Sequence, residues 1–335
     1  MRLPETMQAM VLEHPHQALV LKTLPVQKPA DGQILIKVIA CGICRTDLHV
    51  IDGELPHPRL PLIPGHEIIG KVGVIGDHVK GFNAGDLVGV PWLGYTCGTC
   101  KFCKQGKENL CDNARFTGYT IDGGYAEYTI ADARFCFLLP HEYNKPASAP
   151  LLCAGLIGFR SYQMIDPGAK NIGMYGFGAA AHILIQIARQ QGKKIFAFTR
   201  EGDTASQSFA KSLGACWVGG SYDVPPEKLD ASIIFAPAGE LIPKALQDAD
   251  KGGTVICGGI HMTEIPAFSY DLLWEERIVR SVANLTRENG LDFFKLLRTI
   301  KIHTQTELFA LSQANEAIDK LRNGKITGAA VLVMD

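Results

Sequence analysis

This sequence has almost no net charge: Lys and Arg nearly balance Asp and Glu across 335 residues, leaving −1 at neutral pH. No basic surplus exists to draw in phosphate backbones or anionic membrane surfaces, so nucleic acid is not an expected partner. Long apolar runs are missing as well; none approaches the roughly 20 residues that a spanning helix needs. The opening MRLPETMQAM lacks the apolar core of a signal peptide. Together these absences lead to the expectation of a cytoplasmic protein with no membrane partner. Asn-rich, Gln-rich and repeated segments are also absent, which removes low-complexity and solenoid architectures. What remains is 47% hydrophobic and 20% charged. That composition supports a sizeable core, and the length exceeds what one core usually organises, so two domains are expected.

Cysteine, by contrast, is not scarce. Ten are present, four of them within TCGTCKFCKQGKENLC, Thr96 to Cys111. In a reducing compartment such a cluster reads as a metal site rather than a disulfide framework. Cys97, Cys100, Cys103 and Cys111 have the spacing C-x2-C-x2-C-x7-C. Four thiolates close a tetrahedral shell around zinc and leave no position for water or substrate, which makes the site structural. Free thiols on a loop are the plainer alternative, and an iron–sulfur cluster a third. The ferredoxin run spaces its ligands differently and ends in Cys-Pro, so zinc is preferred.

A second region, CGICRTDLH from Cys41, is followed by PGHEIIG from Pro64. Cys44, His66 and Glu67 would bring soft, borderline and hard donors from separate loops, a mixture suited to a zinc that keeps an exchangeable position. Taken singly, Cys44 also reads as a buried thiol and His66 as a turn histidine. From Pro167 the chain continues PGAKNIGMYGFGAAAHILIQIARQQGKKIFAFTR: an apolar strand, a glycine turn, an amphipathic helix and a second strand. In this βαβ unit Gly176 and Gly178 would let the backbone approach a pyrophosphate at the helix N-terminus, with Ala181 at the third fingerprint position, where close helix–strand packing is all that is asked. Further strand-like runs, DASIIFAPAG, GGTVICGGI and IVRSVANL, continue an alternating pattern that predicts a doubly wound sheet.

On MQAMVLEHP, CGICRTDLH, PGHEIIGKV, GDLVGVPWL, the four-cysteine lobe, GGYAEY, CAGLIGFRSY, GFGAAA and GKITGAAVLV, the chain resembles the zinc-dependent alcohol dehydrogenases of the medium-chain dehydrogenase/reductase superfamily. The resemblance covers nearly the whole chain. It implies a GroES-like, mainly β catalytic domain over residues 1–150 with the structural-zinc lobe at 94–112, a Rossmann cofactor domain over 151–287, and a return to the catalytic domain over 288–335. It implies two zinc ions per chain, with Cys44, His66 and Cys153 as catalytic ligands and the lobe cysteines holding the structural ion. Nothing in the spacing of Cys153 would identify it. Glu67 would lie behind the metal, Asp47 would orient the ligand imidazole, and Thr46 with His49 would relay the alcohol proton to solvent. Arg45 would meet the cofactor pyrophosphate and Trp92 would wall the substrate pocket; a core aromatic is the alternative for Trp92, a helix N-terminal carboxylate for Asp47 and a surface histidine for His49.

Where an NAD enzyme would place an acidic residue at the end of the second strand, this chain has Thr199 and Arg200. A hydroxyl and a guanidinium suit a 2′-phosphate, so NADP(H) is expected over NAD(H); the alternative is that Arg200 ends a strand in solvent and Glu201 bends back to the ribose. Two positions depart from the family pattern: Ala329 stands where an arginine usually nears the pyrophosphate, and Ile157 where a threonine often faces the nicotinamide. Cys41, Cys136, Cys216 and Cys257 read as core residues. The expected activity is hydride transfer between a primary or small secondary alcohol and a nicotinamide cofactor. Polyol or formaldehyde oxidation by the same machinery is one alternative, and a non-catalytic nucleotide-binding zinc or thiol redox sensor is another. The segments Gly253 to Cys257 and Ile278 to Leu285 would lie at the edge where the family associates, which implies a homo-oligomer, dimer or tetramer.

Overall fold

The computed structural model describes residues 3–334, and the chain divides into two compact units. One takes the chain up to Cys153 with Thr286–Thr299 and the stretch from Thr304 onward; the other takes Ala154–Leu285 with Ile300–His303.

The first unit is built on a seven-stranded, mostly antiparallel sheet whose central member is Gln33–Ile43. Its sequence, QILIKVIACGI, is rich in β-branched residues and is buried along nearly all its length, as suits a strand with neighbours on both edges and packing on both faces. Glu67–Ile75 pairs along one edge; Tyr128–Asp132 and Ala329–Val333 share the other. Leu87–Val90 and Phe137–Leu138 extend the sheet on one side and Thr306–Ala310 on the other. Ile34, Ile36, Val38, Ile68, Val72, Val88 and Leu332 form its core. Gly42 sits opposite Glu67, and this one pairing fixes which residues leave the sheet together at its end.

In the second unit six parallel strands lie in the spatial order Trp217–Gly220, Lys194–Thr199, Asn171–Tyr175, Leu229–Ile234, Ala249–Cys257, Ile278–Ser281. Numbered along the chain this is 3-2-1-4-5-6, the order of the doubly wound dinucleotide-binding fold. Alternation along the strands divides the core between two faces. Ile172, Met174, Ile195 and Ala197 pack on one side with Leu184, Ile185 and Ala188 of the helix Ala179–Gln190. Tyr175, Phe196 and Phe198 pack on the other with Ile242 and Leu246 of the helix Leu241–Asp248. The outermost strand, Ile278–Ser281, is exposed at all four positions. No helix among the described residues is long and apolar enough to cross a membrane.

Candidate functional site

The site begins where the central strand runs out. Beyond Ile43, Cys44 turns the chain into an extended conformation and caps the helix Arg45–Ile51, its Sγ accepting the Thr46 amide at 3.3 Å. Asp47 returns the favour, Oδ2 accepting the Cys44 amide at 2.8 Å, so the helix start is closed by a reciprocal cap. His66 immediately precedes the neighbouring strand Glu67–Ile75, and the Gly42–Glu67 pairing therefore delivers Cys44 and His66 to the same end of the sheet. Cys153 arrives from a third direction. It ends the 3-10 turn Pro146–Leu152, which packs on both strands. Gly42 makes room for the arrangement, since a Cβ there would overlap the Glu67 carboxylate.

One ligand atom from each of Cys44, His66, Glu67 and Cys153 lies within 4.8 Å of every other. Cys44 Sγ is 3.1 Å from His66 Nε2, and on the far side of the ring His66 Nδ1 is 3.2 Å from Asp47 Oδ1. His66 and Asp47 are wholly buried and Glu67 is 2% exposed, whereas the two thiols keep partial access to solvent. The electrostatics follow from this crowding. A hydrogen bond from the Cys153 thiol, helped by His66, holds Cys44 well below the ordinary thiol range, and the same bond with burial pushes Cys153 up. Burial opposes charge on His66, yet the facing Cys44 and Asp47 outweigh it and raise its pKa. Burial and the nearby Cys44 raise Glu67, and burial raises Asp47.

These donors suit zinc. Two sulfurs and an imidazole converge, the second imidazole nitrogen faces a carboxylate that fixes its orientation, and Glu67 Oε2 is buried with no hydrogen-bond partner among the described residues. A divalent cation would settle all three features, because buried anionic donors need a counter-charge.

The lobe is separate in construction. Cys97, Cys100, Cys103 and Cys111 again place their sulfurs within 4.8 Å of one another. Cys97 Sγ is 3.9 Å from Cys103 Sγ and 3.5 Å from Cys111 Sγ, on either side of the roughly 3.8 Å edge of a zinc–sulfur tetrahedron. Backbone amides aim at the sulfurs: Cys100 N donates to Cys97 Sγ at 3.4 Å and Cys97 N to Cys111 Sγ at 3.4 Å. Amide donation, Thr99 foremost, lowers the Cys97 thiol to about 6, and burial raises Cys111 to about 11. The neighbouring Glu108 is 4% exposed, and its Oε1 accepts the Arg287 amide at 2.7 Å at the start of the helix Arg287–Leu296.

Around the first site, Trp92 sets its ring edge-on to His66, 4.9 Å between centroids, and stacks on Phe116 and Tyr119; it is both a neighbour of the ligand and part of the packing. Thr46 is buried, and His49 one turn later pairs Nδ1 with Glu54. Nothing local in the sequence marks Glu54 for this part. Arg45 is exposed at the first position of its helix. In the other unit Gly176 follows the first strand at φ +91, a conformation open to glycine, Gly178 caps the helix Ala179–Gln190, and Ala181 is fully buried in its first turn. Ala329 begins a strand and is buried.

Two expectations change. Thr199 is 2% exposed and its hydroxyl is already engaged, 3.1 Å from Arg200 O, 3.4 Å from Gly219 O, and accepting Gln207 Nε2 at 3.1 Å. It lies inside the strand end rather than facing outward, and of the pair only Arg200 is exposed, followed by the exposed Glu201. Cys216, expected in the core, is exposed; it sits just before the edge strand Trp217–Gly220 and donates to Ile195 O at 3.1 Å. Cys41, Cys136 and Cys257 are buried.

Comparison with known proteins agrees with this geometry. Residues 30–141 match the model of the alcohol dehydrogenase GroES-like domain. The chain is 44% identical over 319 residues to the probable alcohol dehydrogenase AdhA of Mycobacterium tuberculosis, covering 93% of this chain and 92% of the relative. Among solved structures it resembles a cinnamyl alcohol dehydrogenase of Sorghum bicolor (TM-score 0.88, 25% identity, 98% and 97% of the two chains). It also resembles the acetophenone reductase of Geotrichum candidum in complex with NAD (TM-score 0.87, 28% identity, 99% and 98%). Identity of this order, sustained across nearly the full length of both chains, leaves no segment for a different family to explain: the chain belongs to the zinc-dependent alcohol dehydrogenases of the medium-chain dehydrogenase/reductase superfamily.

Proposed function

We propose that this enzyme interconverts small aldehydes and their primary or small secondary alcohols, with NADP(H) favoured over NAD(H), two zinc ions per chain, and a cytoplasmic homo-oligomer as the working form. The reaction class itself, NAD(P)-dependent hydride transfer on an alcohol or aldehyde with zinc coordination, carries the reading; the single observation behind it is the convergence of Cys44, His66, Glu67 and Cys153 from three segments of chain. Zinc held there supplies Lewis acidity that acidifies an alcohol and polarises a carbonyl, while the nicotinamide gives or takes the hydride.

The protein's own residues do the rest. Cys44, His66 and Cys153 act as ligands, and Glu67, sealed behind them, is the reserve donor. Asp47 faces His66 Nδ1 and keeps its proton on that nitrogen, leaving Nε2 for the metal. Trp92 limits the cleft beside the ligand ring. Thr46 and His49 stand one turn apart on the same helix. Exposure of the side chains rises from His49, 17%, to its partner Glu54, 57%, so a proton handed outward from Thr46 meets progressively more water. The turn at Gly176 and Gly178 opens onto the unpaired first amides of a twelve-residue helix, which suits a pyrophosphate. Arg45 is assigned to the cofactor pyrophosphate by family resemblance.

With Thr199 turned inward, the preference for NADP(H) rests on Arg200 and on the lack of a carboxylate at the strand end. The lobe cysteines are assigned the second, structural zinc. The exposed edge strand Ile278–Ser281 is where a second copy would pair. The test is a set of initial rates of NADPH and NADH oxidation with one aromatic and one short aliphatic aldehyde, before and after chelation. Chelator-sensitive turnover that prefers NADPH, with the preference reversed about ten-fold or more in Arg200→Asp, supports the reading. Equal loss with both cofactors in that variant removes the selectivity assignment, and turnover indifferent to chelation removes the metal.

A further inference from the structure

We propose that the antiparallel unit carries a second ligand site, lined by none of the metal ligands, for a small amphiphilic organic anion of the medium-chain carboxylate class. A half-open cavity of about 990 Å³ is lined by residues of Val20–Pro25, the first half of Gln33–Ile43, Leu93–Tyr95, Arg115–Phe116 and Tyr128–Asp132. Its size is that of a pocket for an organic molecule of ordinary mass. None of Cys44, His66, Glu67 and Cys153 lines it, and none of the lobe cysteines does.

Met7, Leu24, Leu35, Ile63, Ile121 and Ile130 give the cavity an apolar floor. The rim is charged, and the state of its charges decides the class of ligand. Three carboxylates line the cavity, and each already has a partner: Asp122 holds Arg59 at 3.2 Å, Asp132 grips Arg134 side-on with a closest approach of 2.6 Å, and Asp31 lies 2.8 Å from His78. Three further cations, Lys28, Lys80 and Arg115, line the same cavity with no carboxylate partner among the described residues. Arg115 is held in place all the same: its guanidinium lies 5.2 Å from the centre of the Tyr95 ring, which Arg134 also approaches, at 5.3 Å. A concave site with an apolar base, satisfied acids and unsatisfied bases selects a molecule with an apolar body and an anionic head. A bare inorganic anion would leave the floor unused, and a neutral apolar molecule would gain nothing from Arg115 and the lysines at the rim.

The experiment is isothermal titration of the full-length, zinc-loaded enzyme with decanoate and, separately, with decanamide, which has the same chain without the charge. The variant is Arg115→Glu combined with Lys80→Glu, two exposed positions outside the catalytic and cofactor machinery. The expected result is one decanoate per chain in the parent enzyme, an affinity reduced about ten-fold or more in the variant, weak or no binding of decanamide, and kcat and KM for aldehyde unchanged by the two substitutions. Unchanged decanoate affinity in the variant would place the probe in the substrate cleft and overturn the proposal. So would equal binding of decanamide, or no decanoate binding up to about 10 mM, beyond the weak millimolar range.

Discussion

The two cysteine-bearing sites are built by opposite routes. The lobe collects Cys97, Cys100, Cys103 and Cys111 from fifteen consecutive residues, uses thiols alone, and has backbone amides pointing at the sulfurs. The other site draws Cys44, His66, Glu67 and Cys153 from three segments, mixes donor types, and seals its histidine and carboxylate while leaving its thiols partly open. A closed shell of like donors can only hold an ion. A mixed shell with a carboxylate in reserve and access on the thiol side can hold an ion and still exchange a ligand. On the proposed assignment the difference would separate a metal that serves the fold from one that serves the reaction, and substitutions can strike either side alone.

The largest effect belongs to the mixed site. His66→Ala removes a buried ligand and leaves Asp47 and Cys44 facing each other without it; turnover should fall below detection and zinc content by one per chain, measured by atomic emission, with the lobe's ion retained. Next comes the lobe. Cys100→Ser with Cys103→Ser should lower the thermal midpoint by roughly 5–10 °C, because a structural ion's binding energy is folding energy. At low temperature the surviving enzyme should keep its kcat within about two-fold, as the variant leaves the catalytic ligands intact. A large loss of kcat at unchanged stability would erase the distinction between the sites. Asp47→Asn is gentler: it keeps the shape but weakens the hold on the imidazole, and should loosen catalytic zinc by about 10–100-fold in a chelator competition.

The smallest effect sharpens the contrast from outside, through a second buried histidine. His182, 1% exposed in the helix Ala179–Gln190, has no hydrogen-bond partner at either ring nitrogen among the described residues. Burial holds its pKa below the ordinary value, against the opposing pull of the nearby Gly178 and Ala179 backbone, where His66, between two anions, is driven upward. As pH falls through about 6.5 the unfolded chain takes up this proton before the folded one does. Stability that is complete above that value is then lost toward the folded pKa, by at most about 1.4 kcal/mol per pH unit. In urea melts between about pH 7.5 and 5.5, His182→Leu should flatten that slope; a slope equal to the parent's would show that His182 does not titrate in the folded state's favour.

Much of this architecture is legible in the sequence, for a physical reason. The lobe and the glycine turn are local: their spacing is their geometry, so TCGTCKFC and GMYGFGAAA announce themselves. Strand alternation and the βαβ rhythm point to the parallel sheet. The mixed site is not local. Cys44, His66 and Glu67 offer a suggestive donor mixture that gains weight only in company, and Cys153 carries no signal at all, because strand register and a 3-10 turn bring it in. Thr199 misleads for the same reason: residue type suggests a phosphate partner, but only the neighbouring strand end and Gln207 reveal that its hydroxyl is already occupied. Glu54 and the cavity rim, too, are properties of assembly.

The pairing of Gly42 with Glu67 has one more consequence. A slip of a single residue along this edge would turn Glu67 to the opposite face of the sheet and bring a side chain into the space that Gly42 leaves open. The aligned register is thus the one that brings the candidate metal ligands to the same end of the sheet. Misaligned molecules would emerge from refolding without the ion of the mixed site, one metal short of the aligned chains.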